Sequence, residues 1–384
     1  MDQRSGDASL LRRLNSAAIL AILRNTDVAT LAELARAAHV SRPTAEAIVE
    51  ELLAAGWAEE HTEEYTEEYG GRPRGRPAKR FRFRTSARKV VGLSVGGYRL
   101  HAMTADLGGE IIATRRAAVF PEMTPGERMD EIARLVGESA AEAGVEVRDL
   151  AAVAVGTTGV VDGQGRVVKS TVLAGWTGVP LRAELSARLS APVLVENDMR
   201  LAVLAEHWRG VAQGCGDVVY LFTGNRLSLG LLIGGTPYRG AHFASGEIGE
   251  PAKGLWMAFG HVTAYAMAVE PGELRSPAQA AEFAFARARA GEERAMRAVE
   301  EFATALAEGL ATVVNPLDPE MVVIGGSLAP GAELLVEPIQ RYLDRVCVYP
   351  PQVVASRFGA ESVVMGAVKA ALNHAEATLF QQDS

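Results

Sequence analysis

Three runs of apolar residues at helical spacing lie between Leu10 and Leu53, each opened or closed by its own stop and start signals. That pattern commits the front of the chain to a small helical unit. The first run, Leu10, Leu14, Ala18 and Ile22 with Leu11, Ile19 and Leu23 widening the stripe, predicts an amphipathic helix over 10–24. The second starts at Thr30, which can cap with Glu33 three positions on, and carries Leu31, Leu34, Ala35 and Ala38. After a short turn at His39 and Val40, Ser41 can cap a third helix. Pro43 suits its first turn, and Ala45, Ile48, Val49, Leu52 and Leu53 form its buried side. Gly56 stops that helix, and Trp57 and Ala58 begin a strand. Helix, helix, tight turn, helix and hairpin is the order of a winged helix-turn-helix, in which Ser41, Arg42, Thr44 and Glu46 would meet major-groove edges. A three-helix bundle used for protein contacts is the plainer alternative.

Charge separates these two readings. The chain carries a formal −8, yet residues 69–89 hold seven Arg and two Lys with no acid, while residues 90–384 hold 24 basic and 34 acidic residues. A phosphate backbone responds to the local strip, not to the sum. Within it Pro73-Arg74-Gly75-Arg76-Pro77 resembles an AT-hook core, in which an extended Arg-Gly-Arg lies in a narrow A·T minor groove; Arg72, Arg74, Gly75 and Arg76 are the candidate contacts. A solvated basic linker is the alternative. The six acids between Glu59 and Glu68, most of them in the repeat TEEYTEEY, would repel DNA unless that arm points away from it. Two distant cysteines, Cys215 and Cys347, suggest a reducing compartment and no disulfide framework. The N-terminus has no apolar h-region and no later stretch is long and apolar enough to span a bilayer, so a cytoplasmic protein without a membrane partner is expected.

From residue 90 the period changes. Strands are predicted in VVGLSV, RLHAMTAD and LGGEIIATRR, then helix 124–144, strand 150–156, helix 180–189, strand 191–197, helix 199–209, strands within 217–235, helices within 277–315, strand 321–326 and a last helix from 363. Several of these segments resemble the ROK family (repressors, open reading frames and sugar kinases) in order and spacing. VVGLSVGGYRLHAMTADLGGEI is similar to its first phosphate-binding hairpin, VAVGTTGVVD to its loop at the lobe edge, and APVLVENDMRLAVLAE to its sugar-binding and catalytic segment. GGTPYRGAHFASGEIGE, NPLDPEMVVIGGSL and SVVMGAVKAAL are similar to its second lobe.

The resemblance implies a two-lobed, actin-like (ribonuclease H-like) α/β sugar-kinase-type domain behind the winged helix-turn-helix. The domains would then be 1–69, a basic linker 70–89, and 90–384, with lobe one 90–198 plus the C-terminal helix 363–384 and lobe two 199–362. It also implies lost chemistry. Where the family's kinases carry Asp-x-Gly-Gly-Thr, this chain has Ser94, Val95, Gly96, Gly97 and Tyr98; where they carry Gly-Thr-Gly-x-Gly, it has Gly224, Asn225, Arg226, Leu227 and Ser228. Asp198 keeps the general-base position as a vestige, with no catalytic residue expected and no cofactor. The family's zinc site needs a His and three Cys, but Glu250 stands at the His position and no Cys lies between 216 and 346, so no metal is expected. Asn197, Asp198, Glu247 and Glu250 mark the effector pocket that the resemblance implies, an acceptor-rich set suited to a polyol; Asn197 and Asp198 are equally suited to cap the helix that follows. The expected partners are double-stranded DNA, as an inverted-repeat operator with A·T-rich minor groove, a sugar or sugar-derivative effector, and a second copy in a homodimer or dimer of dimers. An active carbohydrate kinase with an attached DNA-binding domain, or a regulator without an effector, remain the alternatives.

Overall fold

The computed structural model describes residues 3–61, 78–248, 254–273 and 276–379. The chain divides into two compact units, Met1–Lys89 with Asp106–Glu110 and Asn373–Ser384, and Val90–Ala105 with Ile111–Leu372.

The first unit holds α1 (Gln3–Asn25), β1 (Ala29–Thr30), α2 (Leu31–Ala37), α3 (Arg42–Ala54), β2 (Ala58–His61) and β3 (Arg80–Phe83). Thr30 and Glu33 close a reciprocal capping box on α2: Thr30 Oγ1 accepts from the Glu33 N–H at 3.3 Å and Glu33 Oε2 from the Thr30 N–H at 2.7 Å. His39, at φ 54°, makes the tight turn, Ser41 caps α3, and Gly56 at φ 76° ends the chain's run as helix. The stripe expected on α1 is shifted. Leu11 and Leu14 are 60% and 59% exposed, while Ile19, Leu20 and Leu23 are buried, because the core gathers around the last turns of this long helix.

Residues 80–83, expected inside a linker, form the central strand of a three-stranded sheet ordered β1-β3-β2. The Arg-Phe-Arg-Phe alternation explains this, since period two buries Phe81 and Phe83 on one face and leaves Arg80 and Arg82 on the other. Arg82 Nε lies 2.5 Å from Glu59 Oε1 and Lys79 Nζ 2.9 Å from Glu60 Oε2. Two of the acids that looked incompatible with DNA are thus answered across the strand pair. Thr85 O accepts from the Leu107 N–H at 2.9 Å, and Arg24 pairs with Glu376.

The second unit has two lobes. Its first sheet contains β4 (Lys89–Val95), β5 (Arg99–Asp106), β6 (Ile111–Ala118), β7 (Leu150–Thr157) and, after the small pair β8 (Val160–Val161) and β9 (Val167–Lys169), β10 (Val193–Asn197). Helices α4 (Pro125–Glu142) and α5 (Leu181–Arg188) cover it, and α6 (Asp198–Arg209) follows β10. The second sheet contains β11 (Val218–Thr223), β12 (Leu227–Ile233), β13 (Thr236–Pro237), β14 (Met321–Gly325) and β15 (Gln352–Ala355), with α7 (Phe259–Val269), α8 (Pro277–Arg289), α9 (Glu293–Leu317) and α10 (Glu333–Val346); the last helix, α11 (Ser362–Leu379), lies against β4 of the first sheet and α6. The orders β6-β5-β4-β7-β10 and β13-β12-β11-β14-β15 are the same topology twice, three strands running outward from the first and then the fourth and fifth on its other side. β7 and β10 pair parallel, as do β11, β14 and β15, so these strands are apolar runs rather than alternations. The sequence had not marked α7, α10, β15 or the β8–β9 pair.

Each sheet buries its own core, around Trp176 and Leu93 in lobe one and around Phe285 and Phe302 in lobe two. Helix α6 is held by backbone contact. A Cβ on Gly366 would lie 1.8 Å from Leu201 O, and one on Gly230 would lie 2.3 Å from Met199 O, so both positions require glycine for α11 and β12 to approach α6. Among the described residues no helix is long and apolar enough to cross a membrane.

Candidate functional site

The start of α6 collects the polar groups. Asn197 Oδ1 accepts from the N–H groups of Met199 (2.9 Å) and Arg200 (3.2 Å), and its Nδ2 donates to Gly159 O at 2.9 Å and to Asp198 Oδ1 at 3.2 Å. It is an N-cap that also ties down the β8 loop. Asp198 is 6% exposed, and its Oδ2 accepts from Arg226 Nη2 at 2.6 Å while Oδ1 accepts from the Met199 N–H at 3.0 Å. Burial pushes its carboxyl above the usual carboxylate range, against the opposing pull of Arg226 and the helix N–H.

A second ion-pair group lies alongside. Arg200, 2% exposed, donates from Nε to Glu196 Oε1 (2.6 Å), from Nη2 to Val161 O (3.0 Å) and from Nη1 to Phe243 O (3.1 Å). Glu196 Oε2 accepts from Arg239 Nη2 at 2.7 Å. One buried guanidinium therefore joins the lobe-one segments at 161 and 196 to the lobe-two loop at 243, where Phe243 holds the strained φ of 59°.

Between these segments is a cavity of about 260 Å³, walled by Lys169, Ser170 and Thr171 from one lobe and by Arg226, Ala244 and Glu247 from the other. Of the four expected effector residues, Glu247 lines it and Glu250 lies outside the described residues. Asn197 and Asp198 do not form its walls, because the cap and the ion pair hold their polar atoms. Lys169, Ser170 and Thr171 carry no motif that would have singled them out.

The two turns similar to phosphate-binding turns are held by protein groups. Arg128, buried, donates from Nη1 to Gly96 O (3.0 Å) and from Nη2 to Phe120 O (2.5 Å), fixing the β4–β5 turn, and Tyr98 beside it is 68% exposed. In the β11–β12 turn the Arg226 guanidinium also sits 5.6 Å from the Phe222 ring centre, Asn225 Oδ1 accepts from the Ala278 N–H at 3.4 Å, and Ser228 Oγ donates to Gly246 O at 3.3 Å.

In the first unit, Ser41 Oγ accepts from the Thr44 N–H at 3.2 Å and lies 2.7 Å from Thr44 Oγ1, so these two hydroxyls are engaged with each other. Arg42 and Glu46 are exposed on the first turns of α3. Arg72, Arg74, Gly75 and Arg76 lie outside the described residues.

The profile of the ROK family matches residues 90–252 and 263–374. A xylose repressor from Caldicellulosiruptor bescii is 21% identical over 394 residues, covering 94% of this chain and 96% of that protein. A glucokinase from Streptomyces coelicolor is 26% identical over 309 residues, covering 72% of this chain and 95% of the enzyme. The crystal structure of a ROK family transcriptional regulator, a homologue of the E. coli MLC protein, superposes with a TM-score of 0.76 at 21% identity, covering 96% of this chain and 98% of that one.

Proposed function

The chain belongs to the ROK family, and on that premise we propose that it is a DNA-binding transcriptional repressor whose ROK body senses a sugar or sugar derivative and does not phosphorylate it. The observation that carries this reading is the N-terminal unit, three helices and a three-stranded sheet with Arg42 and Glu46 exposed where α3 begins. The ROK match starts only at residue 90, and the length of a repressor accommodates the unit in front of it better than that of a kinase. We read α1 to α3 with β2 and β3 as a winged helix-turn-helix in which β2 and β3 belong to the wing, and the PRGRP segment as a contact for an A·T-rich minor groove. In this reading the chain binds an inverted repeat as a homodimer or dimer of dimers, since a two-fold symmetric pair of subunits matches two-fold symmetric half-sites.

The absence of kinase chemistry is supported by what occupies the site. Asp198 is paired with Arg226, no carboxylate stands at Ser94, and Asn225 and Arg226 place side chains where backbone N–H groups would have to approach phosphates. These residues do not fit Mg-ATP. Nor does the chain fit a tetrahedral zinc site, with no Cys between 216 and 346 and no three His, Cys, Asp or Glu side chains converging among the described residues. Two assays test the proposal: fluorescence anisotropy against genomic duplexes, where saturable sequence-dependent binding is expected, and coupled ADP release over a sugar panel, where none is expected. ADP release without DNA binding would return the chain to the kinases.

A further inference from the structure

The cavity at the lobe junction has the opposite polarity from an acceptor-rich polyol site. Among the described residues its walls carry two cations, Lys169 and Arg226, against one carboxylate, Glu247, with Ser170 and Thr171 beside Lys169. The nearby acceptors are already engaged. Asn197 Oδ1 takes two backbone N–H groups, Asp198 takes Arg226 and the Met199 N–H, and Glu196 takes Arg200 and Arg239. A neutral polyol needs such acceptors for its hydroxyl protons, and leaving them unmatched costs affinity. Donors remain in surplus. Asp198 engages Nη2 of Arg226, and among the described residues no acceptor takes the Nε or Nη1 hydrogens.

We propose that this cavity takes an anionic ligand, a sugar derivative bearing a phosphate or carboxylate, whose negative group bridges Lys169 Nζ and Arg226 and accepts from the hydroxyls of Ser170 and Thr171. A planar guanidinium and an ammonium among the residues lining one cavity suit a multidentate oxyanion, whose charge-assisted hydrogen bonds are stronger than neutral ones. The volume, about 260 Å³, lies at the small end of ligand pockets and suits a single ring. The inference rests on the sensing half of the proposed function. It makes Arg226 a shared group: an arriving anion competes with Asp198 for the guanidinium.

The test is calorimetry on the full chain with glucose, glucose 6-phosphate, gluconate and inorganic phosphate as probes. Saturable binding of glucose 6-phosphate or gluconate is expected, weakened by added salt, with glucose at least about tenfold weaker. The arm that binds distinguishes phosphate from carboxylate. Lys169→Ala, at an exposed position, should weaken the anionic probe by about tenfold or more and Lys169→Arg should restore it. Glucose binding as tightly as the anions, unchanged affinity in Lys169→Ala, or no saturable binding of any probe each overturns the inference. DNA affinity of wild type and Lys169→Ala, measured in parallel, separates the two levels: a chain that binds DNA normally but fails the probe test loses the anionic ligand and keeps the regulator.

Discussion

Arg226 Nη2 donates to Asp198 Oδ2 at 2.6 Å, so the carboxylate at the start of α6 is held by a cation from the β11–β12 turn. A carboxylate paired with a guanidinium is a weaker proton acceptor than a free one, and a base without a positioned phosphoryl donor has no transfer to assist. Calorimetry with Mg-ATP should give no saturable heat, and no sugar should drive ADP release. Micromolar Mg-ATP affinity would mean that Arg226 leaves Asp198 and serves the phosphates instead.

Arg200 and Arg239 share Glu196, yet their burial differs greatly, with side chains 2% and 56% exposed. Removing the buried partner takes the closer guanidinium from Glu196, which keeps Arg239, and leaves the Val161 and Phe243 carbonyls without this donor, at a cost on the order of 3 kcal/mol. The exposed pair is worth about 1 kcal/mol or less. In urea melts Arg200→Met should lower the midpoint severalfold more than Arg239→Ala, with m unchanged in both. Equal midpoints would show that the Val161, Glu196 and Phe243 segments do not depend on Arg200.

His101, on β5, is 6% exposed with no partner for its Nε2, and burial, then the Arg116 charge, lower its pKa from 6.5 to about 4, with Glu361 opposing. The folded state therefore keeps the ring neutral where the unfolded chain protonates it. Stability contributed by this group is fully present above pH 6.5 and is lost as pH falls toward 4, by about 3 kcal/mol over that window. His101→Leu should flatten the fall in melting temperature between these limits. A profile identical to wild type would place the acid sensitivity elsewhere.

The elements legible from sequence were those with a period or a cap. α2 and α3 follow directly from Thr30-Glu33 and Ser41, and the parallel strands β7, β10, β11 and β14 from their apolar runs. β3 lies inside the basic strip that reads as a linker, and Arg at every second position masks the alternation that Phe81 and Phe83 carry. α1 was placed correctly but rotated, since Leu11 and Leu14 continue the helical spacing beyond the reach of the core. At the site the motif residues were found and their engagements were not. The Asn197 cap is local, two and three positions from its donors, and agrees with the capping alternative; its bond to Gly159 and the Asp198–Arg226 pair join residues 38 and 28 positions apart, and no local pattern encodes such pairs. Lys169 was missed for the same reason.

On the DNA side, replacing Arg74 and Arg76 together by Ala should weaken binding, reduce the slope of log affinity against log salt by up to about 2, and diminish any A·T preference. Unchanged affinity and slope would make this segment a linker and leave recognition to α3.

The central claim is that α3 reads sequence on DNA, and selection from a randomised duplex library by the full-length chain tests it most directly. The account predicts recovery of an inverted repeat with half-sites on one face of the duplex, and a loss of base preference at one half-site position in Arg42→Ala, worth roughly 1–3 kcal/mol of discrimination. Recovery of no common sequence by the wild-type chain, or of the same motif with undiminished discrimination by Arg42→Ala, would contradict it.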